Sequence, residues 1–237
     1  MSNSLGIIIA RRSISLSKSY FILGIFMALL ATFISHIPNL IGGNLPVNTN
    51  GTSLDIIRAL PLVSVALQVF AAILFSTSVS LLFVYDKNNG VLEYFLSLGM
   101  DQRDVYRHYL KAALILASGI VCFEVVLNVV TSLLLGTNAL LLLEVSILVV
   151  IIAIPVVSFQ TLLMMSFGSL QKQRIGSNQP LGIAIGVFMV MPAYILPFVL
   201  PSIAIQLDLA LAAVIAICCL LMYLSSSRLI SREKLLP

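Results

Sequence analysis

The chain has 237 residues, of which 60% are hydrophobic and only 9% charged, with a mean hydropathy of +1.12 and a formal net charge of +4. A water-soluble domain carries about a quarter charged residues, so these few charges cannot cover a solvated surface, which excludes a soluble enzyme; no nucleic-acid partner is expected either. The apolar residues fall into long runs, and a run of about 20 crosses the hydrocarbon core as a helix.

The N-terminal segment from Ser4 to Lys18 is too short and too charged to span. Leu5, Ile8, Ile9 and Leu16 recur at roughly helical spacing beside Arg11, Arg12 and Lys18. That pattern fits an amphipathic helix lying in the membrane interface over residues 1–18. A disordered tail leading into the first span is the alternative. The apolar run that follows is too long for a signal-peptide core and has no small-residue cleavage site, so no cleaved signal is expected.

Residues 19–237 read as one all-α transmembrane domain, a polytopic bundle of about six helices. Span 1 covers 19–40, span 2 covers 61–85 and span 3 covers 111–135, ended by the turn signal Gly136-Thr137-Asn138. Span 4 starts near Ala139 and is uncharged from Val145 to Gln171. About 30 residues give about 45 Å of helix against about 30 Å of hydrocarbon, so it must tilt, kink at Pro155 or protrude. Span 5 begins near Leu181 and becomes proline-rich at Pro192, Pro197 and Pro201, and span 6 covers 207–225. Five or seven spans stay open, since the proline-rich end of span 5 can re-enter rather than cross.

Basic residues orient the chain. Arg11, Arg12, Lys18, Lys87, Arg103, Arg107, Lys111, Lys172, Arg174, Arg228, Arg232 and Lys234 fall on one side of this plan, which is 12 of the 13 Lys and Arg, leaving only Arg58 opposite. The basic side is the cytosolic one, so both termini are expected there, in a plasma-membrane protein. Tyr20, Tyr85, Tyr106, Tyr109 and Tyr223 gather at the same span ends, as interfacial aromatics do. Cys122, Cys218 and Cys219 lie within spans, not at zinc-site spacing and poorly placed for a disulfide. Asn50-Gly51-Thr52 matches the glycosylation sequon on the outer loop.

The loop between spans 2 and 3, residues 86–104, is the most informative segment. Asn88-Asn89-Gly90 is a turn, Val91 to Leu98 a short apolar helix, and Gly99 suits the left-handed position that ends it. Asp101 can cap the next helix, with Asp104 three residues on in a capping-box arrangement. Val91, Leu92, Phe95 and Leu98 make an apolar face outside the hydrocarbon, which needs a partner surface or the membrane interface. A hairpin packed on its own bundle is the other reading.

The residues Gly90-Val91-Leu92-Glu93, then Leu96-Ser97-Leu98-Gly99-Met100, then Arg103-Asp104-Val105-Tyr106 and Lys111, resemble the first cytosolic loop of ABC exporter permeases of the second type. Val91 stands where that family has a small polar residue, Gly99 in the usual proline region and Asp104 for the usual Glu. The motif covers about 25 residues, while the layout matches along the chain. The resemblance implies a loop helix docked on a separate ATP-binding cassette ATPase, with Gly90, Leu92, Glu93, Phe95, Leu98 and Arg103 as coupling residues. It implies two permease copies, identical or homologous, beside two ATPases, and ATP and Mg bound by the partner rather than by this chain. In keeping with that, the sequence contains no Gly-Lys pair and so no P-loop.

Polar residues within spans are costly in lipid and face the bundle or a cavity. Glu124 and Asn128 are four apart on one face of span 3. Counting from the outer span ends puts Gln68, Asn128 and Glu144 at comparable depth in the outer half, with Glu124 deeper. They read either as a polar lining or proton- or cation-sensing carboxylates, or as a hydrogen-bonded packing cluster. Gly182 and Gly186 form a GxxxG on span 5, for packing within the chain or at a dimer seam. Intramembrane proteolysis lacks its residues: His36 and His108 sit at span ends or in the loop, and of the nine acidic residues only Glu124 and Glu144 are clearly intramembrane. No catalytic, cofactor or metal site is expected, so the chain reads as a transport subunit rather than an enzyme. The alternative class is an ATP-independent carrier or a non-transporting membrane anchor of a larger complex. No ring of like charge selects a substrate.

Overall fold

In lipid every backbone N–H and C=O must find a partner within the chain, and a run of apolar residues does so as a helix. The computed structural model describes residues 2–42, 52–136, 139–170 and 204–229, and these are all helix and short turns. In chain order the helices are α1 (Ser2–Leu16), α2 (Lys18–Gly42), α3 (Thr52–Asn88), α4 (Val91–Ser97), α5 (Gln102–Leu135), α6 (Ala139–Leu170) and α7 (Ala204–Leu229). Four of them carry stretches long and apolar enough to cross a bilayer, Lys18–Ile37, Val63–Asn88, Gln102–Leu135 and Ser146–Ser166. In α7 the apolar stretch is the shorter Leu209–Leu221. The expected span 5 with its Gly182 and Gly186, the sequon at Asn50, and Lys172, Arg174, Arg232 and Lys234 lie outside the described residues.

The helices outrun the apolar cores expected for them. Helix α3 begins at Thr52, nine residues before the expected start at Pro61, and reaches Asn88. Helix α5 is continuous from the loop residue Gln102 to Leu135, so the segment before Lys111 is the first turns of that helix. At 34 residues it is about 51 Å long. Helix α6 runs through Pro155 without ending. The proline removes one helical hydrogen bond, and hydroxyls nearby back-bond to carbonyls, Ser158 Oγ to Ile154 O at 2.8 Å and Thr161 Oγ1 to Val157 O at 2.7 Å.

Helix α3 is the axis of the bundle. Ala71, Ala72, Ile73 and Leu74 are all 0% exposed, and four successive residues point to every face of a helix, so α3 is covered all round. Its neighbours keep one face outward and apolar: Phe26 and Phe33 on α2, Phe123, Val126 and Leu134 on α5, Ile147 and Ile154 on α6. Such faces suit lipid and not water.

Contacts between side chains set the registers. Phe21 of α2 meets Phe75 of α3 edge-on at 4.5 Å, and the α2 backbone comes so close that a Cβ on Gly24 would lie 2.6 Å from the Phe75 ring. Phe83 of α3 packs on Tyr106 and Tyr109 of α5 at 5.3 and 5.2 Å. Gln160 of α6 donates from Nε2 to Thr77 Oγ1 at 2.8 Å and accepts from Ser76 Oγ at 3.4 Å. Tyr106 donates to the carbonyl of Met165 on α6, and Arg107 Nε to Tyr223 of α7. Together these bring the starts of α2 and α5 and the ends of α3, α6 and α7 to one end of the bundle, where α4 also sits. Arg12, Lys87, Arg107 and Lys111 belong to that end, and Arg58, thirty residues back along α3, does not.

Helix α1 packs on α3 and α5 through Ile9, Ala10 and Ser13, with Ser13 Oγ 2.6 Å from Ser78 Oγ. The face named for it from the sequence is therefore divided: Ile9 is buried against the bundle, whereas Ile8 and Leu16 are exposed together with Ile7 and Ile14. Small side chains at Ala10 and Ser13 let α1 approach closely, so packing claimed a different stripe than hydrophobicity alone.

Candidate functional site

Helix α4 is made by its two glycines. Gly90 precedes it at φ 72° and Gly99 follows at φ 82°, left-handed values that cost glycine little. After the helix, Gly99 N–H bonds to Leu96 O at 3.1 Å and Met100 N–H to Phe95 O at 3.2 Å, the paired bonds of a Schellman ending. The expected role of Gly99 is met. Asp101 then caps α5, its carboxylate accepting from Gln102 N–H at 2.7 Å. Asp104 does not complete a capping box; its carboxylate lies 3.5 Å from Arg107 Nη1 one turn on.

The short helix sorts its apolar residues in two. Leu92 and Leu96 are buried against the chain's own bundle, and Phe95 is half-buried on the same core. Tyr94 and Leu98 point away, 62% and 63% exposed. Of the coupling residues named from the sequence, Leu98 and Arg103 are exposed, Glu93 and Phe95 are intermediate, and Leu92 is interior. Tyr94 was not among them. A seven-residue helix that is apolar nearly all round does not announce its outward side.

Directly beneath α4 a polar cluster ties three helices. Asp86 of α3, 1% exposed, accepts from Tyr109 Oη of α5 at 2.6 Å and from Arg12 of α1 at 2.9 and 3.3 Å. Both oxygens of the buried carboxylate are thereby bonded from two other elements, which ties α1 and α5 to the end of α3.

A second polar layer lies deep in the other half of the bundle. Fifteen residues back from Phe83 is Gln68, and fifteen on from its ring partner Tyr109 is Glu124, so the two share a level. Helix α3 extends back to Thr52, but its apolar stretch starts at Val63, close to the edge from which the depth of Gln68 was counted. Asn128 follows Glu124 one turn on, on the same buried face of α5. Eighteen residues on from Tyr106 and eighteen back from Met165 puts position 147 of α6 beside Glu124, within a turn of Glu144. The side chain of Glu144 lies outside the described residues. Gln68, Glu124 and Asn128 are each 1% exposed. Gln68 Nε2, both Glu124 oxygens and both polar atoms of Asn128 have no hydrogen-bond partner among the described residues.

Two further features were not read from the sequence. The Ser76–Thr77–Gln160 contact joins α3 to α6, and its only signal was a few polar residues within each of two apolar runs. A cleft of about 540 Å³ opens between α5, α6 and α7, lined by Leu110, Ile154, Pro155, Ala212 and Leu220, with no charged side chain. Among the described residues no cluster of three His, Cys, Asp or Glu is placed to hold a metal ion.

Fold and sites together define a multi-pass helical membrane protein. No protein-family model, curated protein or solved structure matches the chain.

Proposed function

We propose that the chain is the permease subunit of an ATP-driven ABC transporter of exporter type, six-spanning, with both termini in the cytosol of the plasma membrane. On this reading α4 is the coupling helix, seated on a separate ATPase subunit that binds ATP and Mg, and a second permease copy completes the translocation path. The observation that carries the reading is α4 itself, a glycine-delimited stub at the end of α3 and α5 that turns Tyr94 and Leu98 outward over a buried Leu92 and Leu96. Its residues are also those whose order resembles the family's loop. Four spans and the helix α7 fit the six-span plan, with the remaining crossing assigned to 181–201. Exposed Ile7, Ile8, Ile14 and Leu16 on α1 suit a helix at the membrane interface, where these side chains meet acyl chains instead of water.

The basic residues at the α4 end make that end cytosolic under the positive-inside rule. Single cysteines introduced at 43–57 are therefore expected to react with an impermeant reagent from outside intact cells. Cysteines at 86–104 are expected to react only after the membrane is opened. Outside labelling of the 86–104 loop overturns both the orientation and the exporter reading.

The coupling contact has its own test. Burying one tyrosine and one leucine contributes about 2–4 kcal/mol, at roughly 25 cal/mol per Å² of apolar area. Tyr94→Ala with Leu98→Ala is thus expected to weaken retention of the ATPase by on the order of 30- to 1000-fold. The bundle should stay folded, since both side chains project away from it. Phe95→Ala removes core contacts as well and is expected to lower stability in addition. The measurement is a pull-down in detergent with ATP turnover assayed on what is retained. A double variant that keeps its ATPase and its turnover removes α4 as the coupling element. A wild-type chain that never retains an ATPase favours the carrier or anchor reading instead.

A further inference from the structure

The polar groups of this bundle are satisfied almost everywhere they are buried. Ser13 meets Ser78, Gln160 meets Thr77 and Ser76, and Asp86 meets Tyr109 and Arg12. Eight buried side-chain atoms among the described residues are the exceptions, and five belong to Gln68, Glu124 and Asn128. A sixth, His36 Nε2, lies on α2 in the same half of the bundle, the ring being held through Nδ1 by Thr32 O at 2.8 Å. Six of the eight thus lie in the half of the bundle away from α4, which holds the one carboxyl among them, the other two being Ser80 Oγ and His108 Nδ1.

Charge decides what would satisfy them. An ionised carboxylate buried without a partner is prohibitively costly, and among the described residues no Lys or Arg is near it along its own or the neighbouring helices. Helix α2 has none beyond Lys18, α3 none between Arg58 and Lys87, α5 none after Lys111, and α6 none at all. Lys111 is thirteen residues from Glu124, or about 20 Å along the helix. The titratable groups on the surrounding elements at about this depth are His36 of α2, Glu144 of α6 and Asp208 at the start of α7. Helix α1 contributes none there, its arginines lying at the α4 end. One described carboxyl, with the buried amide of Asn128 one turn on along the same helix face, matches a single positive charge. A divalent ion wants more carboxylates than are gathered here.

We infer that Glu124, with Gln68 and Asn128 around it, is a buried binding site for one monovalent cation, a proton or an alkali-metal ion, in the half of the bundle away from α4. The carboxyl takes the charge, Asn128 Oδ1 supplies a second acceptor, and the Gln68 and Asn128 amide N–H groups orient the carboxyl or a water carried with the ion. The inference does not depend on the ATPase partner, since the three residues lie within one chain.

Two measurements on the purified full chain in detergent separate the two ions. Thermal unfolding is followed in sodium, potassium and choline chloride at equal ionic strength and pH. Infrared difference spectra between pH steps are followed for a protonated-carboxyl band. Alkali binding predicts a saturable rise in midpoint with sodium or potassium that choline does not reproduce. Proton binding predicts a carboxyl band that titrates while the fold persists. Whichever is seen is expected to vanish in Glu124→Gln and to shift several-fold in affinity, or in proton concentration at half-titration, in Gln68→Leu. If Glu124→Gln fails to fold, the Gln68→Leu shift decides. The inference is overturned if the wild type shows neither signal, or if the signal it shows survives the substitutions unchanged.

Discussion

Replacing Asp86 by alanine is expected to lower the unfolding free energy by about 2–4 kcal/mol. The carboxylate is buried, and its removal takes away the acceptor of the Tyr109 hydroxyl, itself 0% exposed. A buried hydroxyl left unbonded costs about 1–3 kcal/mol. The rest is the lost bidentate contact to Arg12, whose side chain is 43% exposed and can rehydrate, so this share is discounted to about 1 kcal/mol. Asp86→Asn keeps an acceptor for Tyr109 and loses the ion pair, and is expected to cost about 1–2 kcal/mol. Arg12→Ala is expected to cost less still, and to add little on top of Asp86→Ala because the two share one contact. Reversible unfolding in mixed micelles measures all four. An Asp86→Ala protein within about 1 kcal/mol of wild type would show that the cluster does not hold α1 to α3 and α5.

The second large effect is steric. Gly24 sits where α2 crosses α3, and a methyl group there would lie 2.6 and 2.7 Å from two atoms of the Phe75 ring and 3.5 Å from the Ala71 carbonyl. The ring has little room to yield, being nearly buried and already edge-on against Phe21 at 4.5 Å. Gly24→Ala is expected to destabilise by about 1–3 kcal/mol through overpacking, net of up to about 1 kcal/mol that alanine recovers by helix propensity. Gly24→Ile should be worse, by prying the two helices apart. Gly119 supplies the control, because a methyl group on it meets nothing within 4 Å. Gly119→Ala should therefore be neutral or stabilising by up to about 1 kcal/mol. Phe75→Leu in the Gly24→Ala background should recover part of the loss, as a shared contact requires. Equal effects at the two glycines would remove the close approach of α2 and α3 as the explanation.

What could be read from the residues alone was whatever one helix or one turn decides for itself. Long uncharged runs made membrane helices of 19–40, 61–85, 111–135 and the run after 139, since the backbone has no other way to satisfy itself in lipid. Gly99 and Asp101 did their expected work because a left-handed ending and an N-cap are settled within a few residues. The pairing of Glu124 with Asn128 on one buried face followed from helical spacing.

Tertiary structure decided everything that depends on a neighbour. Arg12 and Asp86 are 74 residues apart, and no local pattern tells a buried acid at a span end that its partners are an arginine on α1 and a tyrosine on α5. The register of α3 on α5 is set by the Phe83–Tyr109 contact between them, which no pattern within one helix contains. The outward face of α4 was hidden for a related reason. Leu92, Tyr94, Phe95, Leu96 and Leu98 are all apolar or aromatic, so hydropathy offers no preferred side. Only the platform of α3 and α5 beneath it chooses Leu92 and Leu96 to bury and leaves Tyr94 and Leu98 outside.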